Sequence, residues 1–165
     1  MASTTAISVE EYLRMSFDGA DCDYVDGEIV ERNVGENPHS KTQLHLIGVF
    51  LDMARTRGLH PRPELRLRVA PRRFRIADLA VFQEEPQDNV PSSPPLIVVE
   101  IVSRDDRYTE LIEKFEDYRK WGVPHIWLVD PWLRKLYVYR TAGLSEVPAY
   151  SLPEFDVAIP ASAIF

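Results

Sequence analysis

The chain has 165 residues, of which 45% are hydrophobic and 27% are charged. This length predicts one compact domain over residues 1–165, because two domains would be left with small cores. No apolar run approaches the length that spans a bilayer, and no basic-then-apolar leader is evident, so we expect a soluble, cytoplasmic protein. The net charge of −7 argues against a strongly basic nucleic-acid-binding protein, and a single cysteine excludes an intramolecular disulfide.

The first third of the chain predicts a helix, a hairpin and a longer helix. Ser8 followed by Glu11 forms a capping-box pattern, which predicts a short helix over about Val9–Met15. Asp26-Gly27 lies between two β-prone runs and predicts a two-residue hairpin turn. A helix over about Ser40–Thr56 follows. Its predicted apolar stripe comprises Leu44, Ile47, Phe50, Leu51 and Ala54.

Three strands are expected next. Residues 64–69 alternate between apolar and charged side chains, and residues 75–82 form a second strand after a turn. A period of two places four residues of that second strand on one face: Ile76, Asp78, Ala80 and Phe82. Residues 96–102 follow a proline-rich loop and are all large aliphatics except one, which is typical of a strand buried on both faces.

The rest of the chain predicts a second long helix over about Thr109–Trp121 and a buried strand over His125–Val129. An alternating strand over Lys135–Arg140 is expected at an edge of the sheet, and the tail from Thr141 onward is loop-like. The central order is therefore helix, three strands, helix, strand. This is an α/β arrangement preceded by an N-terminal helix and hairpin.

Two acidic side chains on neighbouring predicted strands are the first candidates for a functional site. Glu100 interrupts the apolar run of residues 96–102, and burial of a lone ionised carboxylate is costly unless it is paired or bound to a metal. Asp78 lies on the preceding strand, so both carboxylates can converge on one point. Mg²⁺ prefers such oxygen ligands, and the backbone carbonyl of Ile101 would be a further one. The alternative is that Glu100 lies at the strand's end and reaches solvent or an arginine.

Lys114 is the third candidate, because it departs from the polar pattern of the second long helix. At about 100° per residue, it falls between Leu111 and Trp121 on the flank of the apolar arc. The opposite, polar arc comprises Glu110, Glu113, Glu116, Asp117 and Lys120. Lys114 either extends to solvent along the apolar surface or points along the sheet toward Glu100. In the second case its ammonium would stabilise negative charge on a phosphate in a transition state.

Arginine is concentrated in one part of this acidic chain. Eight arginines lie between residues 55 and 75, against the single acid Glu64. Such a cluster creates a local positive field that suits a nucleic-acid backbone. The alternative is a solvated strand face next to a charged loop, which composition alone favours. The candidate backbone contacts are Arg66, Arg68, Arg72, Arg73 and Arg75.

Four segments carry a resemblance to a known family: Arg75–Asp78, Val98–Ser103, Glu113–Tyr118 and Trp121–Pro131. Together they resemble a bacterial restriction endonuclease-like family of the PD-(D/E)XK nuclease superfamily, abundant in cyanobacteria. The likeness covers most of the chain and is most specific from Val98 to Pro131. It implies the superfamily's core of helix, three strands, helix and strand, which is the order predicted above.

The resemblance also implies roles for individual residues. Asp78 and Glu100 match the two acidic positions, which would bind Mg²⁺, or Mn²⁺ as a substitute, together with the carbonyl of Ile101. Val102 stands where the superfamily usually has its lysine. In the family that this chain resembles, the lysine lies on the following helix, and Lys114 stands at the matching place.

The resulting hypothesis is a metal-dependent endonuclease that hydrolyses phosphodiester bonds in DNA, with Asp78, Glu100 and Lys114 as catalytic residues. Cutting both strands of a duplex with one site per chain favours a homodimer. Two alternatives stay open. One is a nuclease-fold protein that binds nucleic acid or a protein partner without cutting, and the other is a structural homodimer.

Overall fold

The computed structural model describes residues 6–165. Its α-helices are α1 (Val9–Arg14), α2 (Asn37–Arg57) and α3 (Tyr108–Trp121). Its strands are β1 (Asp23–Val25), β2 (Glu28–Val30), β3 (His60–Ala70), β4 (Arg73–Phe82), β5 (Ile97–Ile101), β6 (His125–Asp130), β7 (Lys135–Arg140), β8 (Gly143–Val147), β9 (Ala149–Leu152) and β10 (Val157–Pro160). Two short 3₁₀ helices span Pro153–Phe155 and Ala161–Ala163. The predicted order of helix, three strands, helix and strand is confirmed by α2 through β6. None of the helices within residues 6–165 is long and apolar enough to cross a membrane.

Local sequence signals account for the N-terminal helix and hairpin. The Glu11 N–H donates to the Ser8 hydroxyl at 3.2 Å, and the Glu11 carboxylate accepts a 2.8 Å hydrogen bond from the Ser8 N–H. The predicted capping box is therefore confirmed. Asp26 and Gly27 both adopt positive φ, 51° and 105°, as a tight two-residue hairpin turn requires. β1 and β2 consequently pair in the predicted hairpin.

Eight of the described strands form one mixed sheet. Its order is β2-β1-β4-β5-β6-β7-β8, and β3 pairs with β4. β5 and β6 are parallel and are connected through α3, whereas the other neighbours in this sheet are antiparallel. A parallel pair needs a long crossover, so α3 crosses the sheet and brings its buried side chains close to the central strands.

Apolar layers lie on both faces of the sheet. Phe50 of α2 shares a buried cluster with Val99 of β5, and the C-terminal segment adds to that cluster. On the opposite face, Phe115 of α3 shares a cluster with Val98. Successive residues of β5 thus face α2 and α3 in turn, which explains the nearly continuous aliphatic run in its sequence.

β4 has two different neighbours along one of its edges. β3 pairs with β4 from Arg73 to Phe82, with a break at Asp78, and so occupies one edge. β1 pairs with residues 73–74 and β5 with residues 79–81, so these two strands share the other edge. Residues 75–78 lie between the two pairings, where β1 and β5 separate. This opening is named the β4 fork.

The regular alternation predicted for β4 is interrupted at the fork. Ala77 and Ala80 pack in the same apolar layer, although residues three apart on a regular strand face opposite sides. The pairing of β3 with β4 skips Asp78, and Glu64, between the paired residues 63 and 65 of β3, has a φ of 50°, which shows a local distortion of the strand pair. Of the face predicted to hold Ile76, Asp78, Ala80 and Phe82, Ala80 and Phe82 do share one apolar layer, and Ala77 joins them there.

The buried face of α2 coincides only in part with the predicted one, in that Phe50 is buried and Ile47 packs against the core. Leu46, Phe50 and Met53 are buried, whereas Leu44 is 67% exposed and Leu51 is 52% exposed. The predicted apolar stripe was therefore wrong at Leu44 and Leu51. The buried face includes polar residues in the first turns of the helix, which weakens its hydrophobic pattern.

The tail predicted as loop is instead built from strands. β8 pairs with β7, so the prediction of β7 as an edge strand was wrong, and β9 and β10 form a separate antiparallel pair. Tyr150 on β9 stacks on Trp127 of β6 with ring centroids 4.1 Å apart, and Ile164 is fully buried. Strands of four or five residues carry too little periodicity to be recognised without these long-range contacts.

Two leucines of α2 test which face is buried. Leu46→Ala should lower the free energy of unfolding by about 2–5 kcal/mol, because Leu46 is fully buried and its truncation leaves a cavity. Leu44→Ala, two residues away on the exposed side, should change that free energy by less than about 0.5 kcal/mol. Urea denaturation measures both values, and similar losses for the two variants would contradict the described helix face.

Candidate active site

At the β4 fork, the main chain of Ile76 bonds two ionisable side chains. Its N–H donates to Asp23 Oδ1 at 2.9 Å, and its carbonyl oxygen accepts a 2.7 Å hydrogen bond from the Lys114 ammonium. Buried backbone groups need such partners when a neighbouring strand does not supply them. The fork therefore brings one side chain from β1 and one from α3 to the middle of the sheet.

Asp78 is buried at the fork and accepts hydrogen bonds at both carboxylate oxygens. Oδ2 accepts a 2.7 Å bond from the Ile101 N–H and lies 3.3 Å from His39 Nε2, and Oδ1 accepts a 3.0 Å bond from Arg32. Burial alone would raise the pKa of Asp78, but the bond to His39 and the charges of Lys114 and Arg32 lower it below its ordinary value. Asp78 is therefore ionised at neutral pH.

Glu100 lies on β5 directly before Ile101 and faces Lys114. Its Oε2 accepts a 3.0 Å hydrogen bond from Lys114 Nζ, and its Oε1 accepts a 2.8 Å bond from the Tyr118 hydroxyl. Burial raises the pKa of Glu100 to about 7, Lys114 opposes that rise, and Asp78 adds to it. Two neighbouring carboxylates thus have different protonation behaviour, because they have different donors.

Lys114 is 9% exposed, so its side chain does not extend to solvent. In addition to Glu100 and the Ile76 carbonyl, Asp23 Oδ2 lies 4.0 Å from its ammonium. Burial alone would lower the pKa of Lys114, but the negative charges of Asp23 and Glu100 raise it. Lys114 is therefore a charged hydrogen-bond donor at neutral pH, and it is not a general base in this state.

A second ion-pair network fixes the rotation of α3. Arg75 Nε donates to Asp117 Oδ2 at 2.7 Å, and Arg75 Nη1 donates to Asp23 Oδ2 at 3.3 Å. The sequence-based placement of Asp117 on the polar arc was wrong, because Asp117 is buried and pairs with Arg75 and Arg73. By holding one face of α3 against β4, these pairs direct Lys114 toward the fork.

Most of the five predicted nucleic-acid contacts are engaged within the protein. Arg75 is 4% exposed, which argues against it as a backbone contact, contrary to the sequence-based expectation. Arg66 and Arg73 form ion pairs with acidic side chains. The exposed members of the set are Arg68 and Arg72.

Three polar residues at the site were missed by the sequence analysis. They are Arg32 in the loop between β2 and α2, and His39 and Gln43 in the first turns of α2. The Gln43 amide donates to the Asp78 carbonyl oxygen at 2.9 Å and to Glu64 Oε1 at 2.8 Å. His39 and Gln43 are four residues apart and share a helix face, a spacing that the sequence does show. No local pattern marks Arg32, because its approach depends on the path of a loop.

The candidate residues have the donor chemistry of a site for a hard divalent cation. Asp78, Glu100 and Ile101 line one cavity of about 90 Å³, together with Arg32 and Lys114. Two carboxylates and a backbone carbonyl are ligands that Mg²⁺ accepts alongside waters or phosphate oxygens, so the residues fit such an ion.

Only two side chains, those of Asp78 and Glu100, supply ligands in this proposed set. Within residues 6–165, no group of three or more His, Cys, Asp or Glu side chains is arranged to hold a metal ion. Backbone, water or substrate oxygens would have to complete the coordination. All four carboxylate oxygens of Asp78 and Glu100 accept hydrogen bonds from the protein, and each keeps a second lone pair that a cation could use.

The sheet between α2 and α3, with its parallel pair at β5 and β6, defines the chain as a restriction endonuclease-like protein. A model of the Uma2 family, described as "Putative restriction endonuclease", matches residues 9–163. The chain belongs to this family, which confirms the resemblance noted in its sequence.

A solved structure confirms the fold. The crystal structure of "a putative nuclease belonging to DUF820 from Anabaena variabilis ATCC 29413" matches with a TM-score of 0.81 and 22% sequence identity. The match covers 96% of this chain and 97% of that one. No curated protein matches the chain.

Glu100 should make the stability of the protein depend on pH. Its pKa is about 7 in the folded protein against an ordinary value of 4.5, so the folded state binds this proton more tightly than the unfolded state. The stabilisation that the folded state gains from this proton is fully present below about pH 4.5 and is lost as the pH rises through about 7. Glu100→Gln, which cannot ionise, should therefore gain stability relative to wild type across that window.

The gain should be on the order of 3 kcal/mol, at about 1.4 kcal/mol per unit of pKa difference, and should level off at higher pH. Urea denaturation of both proteins in EDTA at a series of pH values measures it. A difference between the two proteins that stays constant from pH 4.5 to 7 would contradict the raised pKa of Glu100.

Proposed function

We propose that this protein is a Mg²⁺-dependent endodeoxyribonuclease, with Mn²⁺ as a substitute ion, that hydrolyses phosphodiester bonds in DNA. The observation that carries the proposal is the convergence of Asp78, Glu100 and Lys114 at the β4 fork, where Lys114 Nζ lies 3.0 Å from Glu100 Oε2. The family description "Putative restriction endonuclease" supports the same class of reaction.

Each residue has a distinct role under this proposal. Asp78, Glu100 and the carbonyl of Ile101 hold the ion, which when bound would act as a Lewis acid and lower the pKa of a coordinated water. Lys114 positions the attacking water and offsets the negative charge that develops on the phosphate. Tyr118 is a positioning residue, because its hydroxyl holds Glu100 at 2.8 Å.

Contact with the DNA backbone is assigned to Arg68 and Arg72, whose side chains are exposed. Each chain has one such site, so cleavage of both strands of a duplex calls for two copies. A symmetric homodimer would provide them.

Metal binding should depend on both acidic residues. Titration calorimetry of Mg²⁺ and Mn²⁺, with and without a short DNA duplex, should show uptake by the wild type that is lost in Asp78→Ala and in Glu100→Ala. Asp88→Ala removes an exposed carboxylate from the loop before β5 and should bind like the wild type. Failure of the wild type to take up metal with duplex present would contradict the proposed site.

Lys114→Ala should abolish DNA cleavage, with a loss of at least about 100-fold, because it removes the cation that offsets charge on the phosphate. The fold should persist, because Glu100 can stay protonated when its partner is lost. Nicking of plasmid DNA measures activity, and circular dichroism measures folding. Lys120→Ala, on the exposed side of the same helix, is the matched control. Cleavage retained in a folded Lys114→Ala protein would exclude this role.

A second candidate function is binding of nucleic acid or of a protein partner without cleavage. Its support is the Arg32 guanidinium, which already pairs with Asp78 at 3.0 Å and neutralises a proposed metal ligand. The metal titration separates the two functions. A wild type that binds duplex but takes up neither ion favours the non-cleaving function.

A further inference from the structure

Arg32 is an internal cation at the proposed metal site. It lies in the loop between β2 and α2, and its side chain is only 12% exposed. One guanidinium nitrogen donates to Asp78 Oδ1 at 3.0 Å, and the other donates to Glu64 Oε2 at 2.7 Å. The guanidinium therefore bridges an acid of β4 to an acid of β3.

Arg32 and a divalent cation would compete for the same carboxylate. A ligand oxygen that accepts a hydrogen bond at 3.0 Å from a guanidinium has a lone pair engaged, and two cations that close together repel each other. The remaining oxygen of Asp78 already accepts the Ile101 N–H at 2.7 Å. Each of these oxygens keeps a second lone pair, so Arg32 opposes a cation at Asp78 through its charge, and a movement of Arg32 away from Asp78 would relieve that opposition.

The surroundings of Arg32 allow that movement. Its second partner, Glu64, has a side chain that is 48% exposed, so this end of the ion pair reaches solvent. The Arg32 loop is held to the loop after β5 by surface contacts: Asn33 donates to Asp106 at 2.7 Å, and Arg104 lies 3.6 Å from Glu36. With the loop held and Glu64 exposed, a change in the side-chain conformation of Arg32 is the movement that would release Asp78.

A phosphate at the mouth of the cavity is the natural second partner for the displaced guanidinium. Arginine binds phosphate oxygens through paired, charge-assisted hydrogen bonds. The same movement that frees Asp78 for a cation would then create a contact with the DNA. Two binding events that depend on one movement reinforce each other, and thermodynamic linkage makes the effect reciprocal.

The geometry points to Arg32 as a built-in competitor of the divalent cation at Asp78. When metal and substrate bind together, the Arg32 guanidinium moves from Asp78 to a DNA phosphate. This inference rests on the proposed metal site. It assigns to Arg32 the coupling between metal and substrate, so that the free protein binds metal weakly and the DNA-bound protein binds it tightly.

The test is titration calorimetry of Mn²⁺ into wild type, Arg32→Ala and Arg107→Ala. Arg107 lines the same cavity but is exposed and does not contact Asp78, so its loss removes the same charge without removing the competitor. Without DNA, Arg32→Ala should bind Mn²⁺ at least tenfold more tightly than wild type. Arg107→Ala should stay within about twofold of wild type, since an exposed charge acts only through screened repulsion.

A second set of titrations adds a phosphorothioate DNA duplex, which reports binding rather than turnover. The duplex should tighten Mn²⁺ binding to the wild type at least tenfold and to Arg32→Ala by less than threefold. Arg32→Gln keeps a hydrogen-bond donor for Glu64 and removes the charge. It should behave as Arg32→Ala does, and it replaces that variant if thermal denaturation shows loss of folding.

The outcomes distinguish this inference from the proposed function. Asp78-dependent Mn²⁺ binding that is equally strong in wild type and Arg32→Ala would overturn the competition and leave the metal site standing. Equal tightening in Arg32→Ala and Arg107→Ala would also overturn it, since the effect would then be general electrostatics. If no protein binds Mn²⁺, with or without duplex, the metal site fails and the role of Arg32 fails with it.

Discussion

The buried contact between Lys114 and Glu100 is the interaction on which the site depends. Burial of either charge alone would be costly, so each must find partners in the same small volume. Lys114 finds them in Glu100 on β5, the Ile76 carbonyl on β4 and Asp23 on β1. Three strands and one helix must therefore meet at the β4 fork, and the separation of β1 from β5 leaves the space in which they do so.

The two carboxylates of the fork differ because their donors differ. At Asp78, burial is outweighed by the hydrogen bond to His39 and by the charges of Lys114 and Arg32, which lower its pKa, whereas burial dominates at Glu100 and raises its pKa to about 7. The site thus carries one firmly ionised group and one group that titrates near neutral pH. Such a pair responds strongly to an added cation, because metal binding favours the deprotonated form of its ligands.

Much of the fold and the centre of the site could be predicted from local patterns. The capping box at Ser8, the Asp26-Gly27 turn and the position of Lys114 on the apolar flank of its helix are each readable within a few residues. The faces of α2 were predicted less well, because its buried side mixes apolar residues with His39 and Gln43, which serve the site. The short C-terminal strands were missed because their burial comes from distant partners such as Trp127.

The order of elements up to β7, the hairpin, the family resemblance and the candidates Asp78, Glu100 and Lys114 could all be inferred from the sequence, since each depends on a short motif or on spacing along one element. The exposure of each arginine and the cationic side chain that contacts Asp78 are evident only in the folded protein. Arg75 and Arg32 are the same residue type, yet Arg75 pairs with Asp117 of α3 and Arg32 pairs with Asp78 in the cavity. The reason is physical: the partner of a charged side chain is set by the convergence of strands and loops far apart in the chain, and residue type alone does not encode it.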